Sequence, residues 1–410
     1  MALTDSVSVF AEGTPEEQVQ ELVDYVIRGR SDEVRAAVVR QFAEAIESKE
    51  GQIPFSEDDN RRRQVFSQLL SEVNGLGDGT EKEIEGFFNM IYAHLFNLYA
   101  LDSSEIRSHL NLLLRVISSA PADKASIKYS ILSNLFNAMP RTSSLRLPVY
   151  TTILDLATAN KELEILNLSR ADVEKWLTEW DISDADKAAF AKRIADALTQ
   201  CGQPESAYGY SLTYVRLLPT SSPEAPTAAG SVIADGLRLP AIFDFDPLFK
   251  LNAVVAAKDH ELFPLLQLFV NDGFVELQAW LESHPNVIET HNLDKAQLGR
   301  KIRLLSLATL GFKYIGQDLP YSRIADTLQI DVSRVESWII DVIRAGLLWG
   351  KMSQTTQSLH VVRSTARVFE KEQWEILEKR VLAWRTSLAS VMEVVANAKR
   401  QGGFVPVPVA

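Results

Sequence analysis

The sequence predicts an all-helical chain with one small β-hairpin near its C-terminal end, and three observations predict it. Apolar residues recur at helical spacing through most of the chain before residue 319, and the breaks between those stretches are only a few residues long. The rhythm then changes to two short helical stretches followed by two short apolar segments. A last long helical stretch closes the pattern.

The first helix is signalled at Thr14, a capping residue type, with Pro15 at the first helical position, where a missing N–H costs nothing, and Glu17 in the capping-box position. Behind it Val19, Leu22, Val23, Val26 and Ile27 form the one-sided stripe of an amphipathic helix. Ile106, Leu110, Leu113, Leu114 and Ile117 make another stripe, and Ile127, Ile131, Leu135 and Phe136 another after Pro121. The connectors Asn74 to Thr80, Pro140 to Ser144 and Asn167 to Ser169 have lengths that join antiparallel neighbours. None of these helices can bury its stripe alone, so an α-solenoid of stacked helical hairpins is expected over residues 1–205.

Residues 219–230 read PTSSPEAPTAAG and predict an exposed linker, since Pro, Ser and small side chains offer little to pack. Helical spacing resumes at Leu262, Leu265, Leu266 and Phe269, and Leu298, Ile302, Leu305, Thr309 and Phe312 keep one face of a long helix. Tyr321 to Gln329 predicts a short helix and Ile330 to Val332 a turn. Ser333 is read as the cap of a second helix, with Glu336 completing its capping box and Gly346 as a left-handed C-cap. Leu347 to Met352 and Leu359 to Val362 then flank a polar turn, Ser353 to Ser358. Helix, turn, helix and hairpin in that order make a winged helix, over residues 319–365 of a larger module spanning 206–367.

From Glu370 to Lys399, the residues Trp374, Leu377, Val381, Trp384, Leu388, Val391 and Val395 take the alternating three- and four-residue spacing of a coiled-coil seam. Little chain follows to cover it, so this helix (368–399) is expected to pack against another subunit, and deleting Glu370 to Ala410 to leave a folded chain that no longer assembles. Residues 400–410, holding two glycines and two prolines, are expected to form a mobile tail.

Composition bounds the function. Hydrophobic residues make up 46% of the 410, enough for a large core. One cysteine, Cys201, leaves no intrachain disulfide and no thiolate cluster. No apolar run approaches the roughly 20 residues of a membrane span. Met1 to Phe10 has neither a signal-peptide nor a transit-peptide pattern, so a cytoplasmic location is expected. The formal net charge of −12 repels polyphosphate at long range and favours protein partners.

Solenoid helices running into a winged helix are the architecture of PCI subunits, shared by the proteasome lid, the signalosome and eukaryotic translation initiation factor 3. Four strings narrow the resemblance: SILSNLFNAM (Ser130 to Met139), WLTEW (Trp176 to Trp180), VESWIIDVIRAGLLWGKMSQTTQSLHV (Val335 to Val361) and FEKEQWEILEKRVLAW (Phe369 to Trp384). Together they resemble the subunit M family of that initiation factor over about residues 125–390, the third string with Arg363, Ser364 and Thr365 being the most specific. The resemblance implies a scaffold subunit of a complex that binds the small ribosomal subunit. It also implies a winged helix packed beside those of sister subunits and a terminal helix in a shared bundle. Two alternatives stay open, a PCI subunit of the signalosome or proteasome lid and an RNA-binding winged-helix adaptor.

Catalytic patterns fail on inspection. His260-Glu261 opens a zincin motif, but Pro264 stands where the second histidine belongs and breaks the helix that chemistry needs. Gly75 to Thr80 looks phosphate-loop-like, yet it lacks a preceding strand and a Gly-Lys-Ser/Thr ending, so a flexible connector is expected. The six histidines are scattered without metal-ligand spacing. No enzyme, cofactor or metal is expected.

Arg334, Glu336, Ser337, Asp341 and Arg344 form the outer face of the second winged-helix helix, and their charges cancel, unlike the basic face of a nucleic-acid recognition helix. Protein docking is favoured there, with Leu359 to Val362 read as an edge strand open to pairing. Arg61, Arg62 and Arg63 follow Glu57, Asp58 and Asp59 and are read as a solvated helix start, with an RNA contact as the alternative. Trp176 and Trp180, one turn apart, are read as core. The residues expected to bind partner subunits are Trp349, Leu359, Val361, Trp374, Leu377, Val381, Trp384 and Leu388.

Overall fold

The structure is a computed structural model that describes residues 13–47, 53–219, 222–367 and 371–402. Expectations placed on Met1 to Phe10, on Thr220 and Ser221, and on residues 403–410 of the tail lie outside the described residues. The chain divides into two compact units, Met1–Leu217 and Leu218–Ala410. No helix among the described residues is long and apolar enough to cross a membrane.

The first unit is built from α1 (Pro15–Ile27), α2 (Asp32–Ile46), α3 (Asp59–Glu72), α4 (Glu81–Leu98), α5 (Ser104–Ser119), α6 (Ala125–Ala138), α7 (Arg146–Asn160), α8 (Arg170–Glu179), α9 (Asp184–Gln200) and α10 (Pro204–Leu217). Local chemistry sets where several of them begin. Glu17 accepts from the Thr14 backbone N–H at 2.9 Å while Thr14 accepts from Glu17 N–H, and Thr80 and Glu83 repeat the reciprocal cap at α4. The stripe from Ile106 to Ile117 and the stripe from Ile127 to Phe136 are buried throughout. Helices pack on their second neighbours as well as their first: α3 on α5, α5 on α7, α7 on α9, and α4 on α6. That pattern is a two-layer stack of hairpins over one continuous core, the solenoid the periodicity predicts.

The second unit contains α11 (Ala225–Arg238), α12 (Asp246–Phe249), α13 (Asn252–Ala256), α14 (Phe263–Asn271), α15 (Phe274–Ser283), α16 (Pro285–Thr290), α17 (Lys295–Lys313), β1 (Asp318–Pro320), α18 (Tyr321–Leu328), α19 (Val335–Arg344), β2 (Leu348–Ser353), β3 (Ser358–Ser364) and α20 (Lys371–Gly402). Its start corrects the linker expected over 219–230. Residues 225–230 are the first turns of α11, with Ala225, Ala229 and Gly230 buried. Pro226 sits in the first turn, where its missing N–H is harmless, and alanine is the strongest helix former. Small side chains here mean close packing: a Cβ added at Gly230 would run into the His260 ring.

Two further corrections concern the winged helix. The turn before α19 is capped by Asp331, whose Oδ1 accepts from Ser333 N–H at 2.8 Å, while Ser333 lies inside a 3-10 turn, Val332–Arg334. The sheet has three strands in the order β1-β3-β2, all antiparallel, so β3 is central and not an edge. Strand β1 is only three residues long, too short for any periodicity to show. Gly346, at φ +71°, takes the left-handed cap position expected of it.

Candidate interaction surfaces

The winged helix closes on its own apolar core, made by Leu319, Ile324, Leu328, Val335, Ile339, Val342 and Leu348. Leu359 and Val361 belong to that core and are fully buried, which removes them as partner-binding residues. The reason is register: in the central strand they point to the face covered by α17, α18 and α19, while His360, Val362 and Arg363 are exposed. Ser364 ties the sheet to α17 by donating to the Ala308 carbonyl at 2.7 Å. On the open side Trp349 is 41% exposed, with the Arg363 guanidinium 4.7 Å from its ring centroid. Asp318 on β1 pairs with His360 at 2.8 Å. The outer edge of β2 has no neighbouring strand among the described residues.

Helix α20 is anchored at its start and free beyond it. Arg367 precedes it and donates to the Asp272 carbonyl at 2.6 Å and to Ser306 Oγ at 2.8 Å, and burial pushes its guanidinium down to about 10. Arg380 donates to the Phe312 carbonyl at 2.5 Å and lies over the Phe312 ring. From Val381 to Arg400 every residue is exposed. The seam residues Trp374, Leu377, Val381, Trp384 and Leu388 are all exposed, Trp384 by 69%, and Leu382, Val391, Met392, Val394 and Val395 widen the apolar strip. No short motif marks Arg367 or Arg380 as an anchor, because the carbonyls they hold lie 95 and 68 residues away in sequence.

The Arg61-Arg62-Arg63 run is not a free basic patch, because each guanidinium is engaged. Arg61 donates to the Ala45 carbonyl at 2.8 Å and the Glu47 carbonyl at 2.5 Å, closing the C-terminal end of α2. Arg63 does the same for α4 through the Leu98 carbonyl at 2.7 Å, and Arg62 pairs with Asp59 at 3.2 Å. Trp176 and Trp180 stack 5.8 Å apart within an aromatic cluster that includes Phe136, Tyr150 and Phe190, so they are core. The Gly75 to Thr80 connector is packed under Tyr25, whose hydroxyl donates to the Leu76 carbonyl at 2.8 Å. His260 and Glu261 precede α14, and Glu261 is bonded to His291 at 2.7 Å. On α19 the mixed charges are partly paired internally, Asp341 with Arg300 at 3.1 Å and Glu336 with Gln354 at 3.0 Å.

Comparison with known proteins follows the same two elements. A family model described as PCI domain matches residues 281–363, which hold the winged helix. A second, described as the C-terminal helix of eIF3 subunit M, matches residues 367–395, the Arg367 anchor and most of α20. A protein of Phaeosphaeria nodorum described as eukaryotic translation initiation factor 3 subunit M is 31% identical over 405 residues, covering 96% of this chain and 89% of its own length. A protein of Aspergillus terreus with the same description is 32% identical over 410 residues, covering 97% and 88%. One of Dictyostelium discoideum, again so described, is 30% identical over 327 residues, covering 78% and 80%.

Proposed function

The chain belongs to the family of eukaryotic translation initiation factor 3 subunit M, and from that premise we propose that it is a non-catalytic scaffold subunit of the cytoplasmic initiation factor 3 complex. It acts in assembly of that complex and, through the complex, in initiation of protein synthesis on the small ribosomal subunit. The observation that carries the mechanism is the exposed apolar strip of α20 from Val381 onward. A helix standing alone in water is marginally stable, and burial of each large apolar side chain contributes on the order of 1.5–3 kcal/mol. Helices of sister subunits covering the seam at Trp374, Leu377, Val381, Trp384 and Leu388 would supply that burial in a shared bundle. Sister winged helices would dock at the outer edge of β2, beside exposed Trp349, since β3 is already paired on both sides.

Affinity purification of the tagged full chain, with its companions identified by mass spectrometry, tests the proposal. Subunits of initiation factor 3 and proteins of the small ribosomal subunit are expected to accompany the wild type. The double substitution Val381→Glu, Leu388→Glu is expected to lose them while keeping its circular dichroism. Recovery with proteasome-lid or signalosome subunits instead, or a seam variant that keeps all its companions, would overturn it.

A further inference from the structure

A cavity of about 340 Å³ opens in the second unit where the C-terminal end of α11, the first half of α17 and the C-terminal end of α19 meet. Its size is within the range that takes a small molecule or one bulky side chain. Leu237 and Leu304 lie buried at its base, and Pro240 and Phe243 line its wall. Three exposed arginines, Arg238, Arg300 and Arg344, surround it. Behind the base the buried Lys301 ammonium donates to the carbonyls of Gly236 at 2.6 Å and Leu239 at 2.8 Å, and no carboxylate pairs with it among the described residues. Burial pushes that ammonium down to about 7, and an anion in the cavity would hold its proton in place.

The rim is not balanced. Arg238 pairs with Asp235 at 2.8 Å and Arg300 with Asp341 at 3.1 Å, but the Arg344 guanidinium has neither an ion pair nor a hydrogen bond among the described residues. A spare guanidinium over an apolar base selects for a ligand with one negative group and one greasy one. We propose that this cavity receives an acidic segment of another protein, with an aromatic or bulky aliphatic side chain seated on Leu237 and Leu304 and a neighbouring carboxylate on Arg344. A polynucleotide fits less well. Asp341 stands in the rim, Asp235 pairs with rim Arg238, and Asp244 and the first residue of α12, Asp246, lie close in sequence to Phe243, so a run of phosphates would meet several carboxylates, whereas a single carboxylate needs only Arg344. The site is separate from the α20 seam, and the proposal does not rest on the family assignment.

Fluorescence anisotropy on the full chain tests it with four labelled probes: a short, otherwise uncharged peptide carrying one aspartate beside one tryptophan, the same peptide with serine for tryptophan, the same with asparagine for the aspartate, and an oligouridylate. Only the first is expected to bind. Arg344→Glu is expected to weaken it about tenfold or more. Ala241→Trp, which fills the cavity from an exposed position, is expected to do the same with unchanged circular dichroism. The proposal is overturned if the acidic tryptophan peptide does not bind, if Arg344→Glu leaves its affinity unchanged, or if the oligouridylate binds as tightly and loses affinity with Arg344→Glu.

Discussion

Arg61 and Arg63 hold the carbonyl ends of two helices that precede and follow their own, and this decides what their loss would do. Substituting Arg63→Met leaves the Leu98 carbonyl without its donor, so urea unfolding is expected to show a loss of about 1–2 kcal/mol with no change in RNA retention. His94 makes a second prediction. It is only 6% exposed, its Nε2 has no hydrogen-bond partner among the described residues, and burial, aided by the nearby Arg62 charge, pushes its imidazole down to about 4. Because the folded value lies below the unfolded one, the folded chain binds fewer protons between about pH 4 and 6.5, and stability falls as pH falls through that window. Wild type is expected to be about 2 kcal/mol less stable at pH 5 than at pH 7.5 on account of this residue, and His94→Leu to remove that part of the slope in urea titrations at the two pH values. The cap at Thr14 was legible in the sequence because cap and partner lie three residues apart; the same spacing at Thr80 and Glu83 was shown only by the structure. The arginine clamps were not legible, since Arg61 and Arg63 reach acceptors 16 and 35 residues away.

Helix α20 shows how an element can be half structural and half adhesive. Its first turns are tied to α17 through Arg380, so a deletion beginning at Glu370 would remove packing as well as the seam. A chain ending at Arg380 is the cleaner test. It is expected to melt at the wild-type temperature yet fail to co-purify with initiation factor 3 subunits, whereas a lowered melting temperature would show that the seam folds back in solution. Helix α11 makes the opposite point about small residues. Its PTAAG start reads as loop by composition but packs closely, and Gly230→Val is expected to cost about 1–3 kcal/mol in thermal or urea unfolding through collision with His260. Composition reports how much a segment has to bury, not how near its neighbours come. Strand β1 escaped for a related reason: three residues have no rhythm, and only pairing with β3 makes them a strand.

Across the whole molecule the acidic charge is uneven. Residues 1–217 hold 33 acidic and 22 basic residues, and residues 218–410 hold 21 and 20, so the repulsion of polyphosphate belongs almost entirely to the first unit. The apolar seam and the exposed Trp349 belong to the second. A chain of residues 218–410 is therefore expected to enter the initiation factor 3 complex on its own, and a chain of residues 1–217 to be left out, as read by co-purification. Sequence by itself determined the helical class, the winged helix and the apolar seam, because each follows from spacing along one stretch of chain. Only the tertiary structure decided that β3 is central, which withdrew Leu359 and Val361 from any partner, that the arginine run is spent on helix ends, and that three arginines gather around one cavity. Those outcomes depend on groups distant in sequence meeting in space, and no periodicity along the chain encodes which of them will meet.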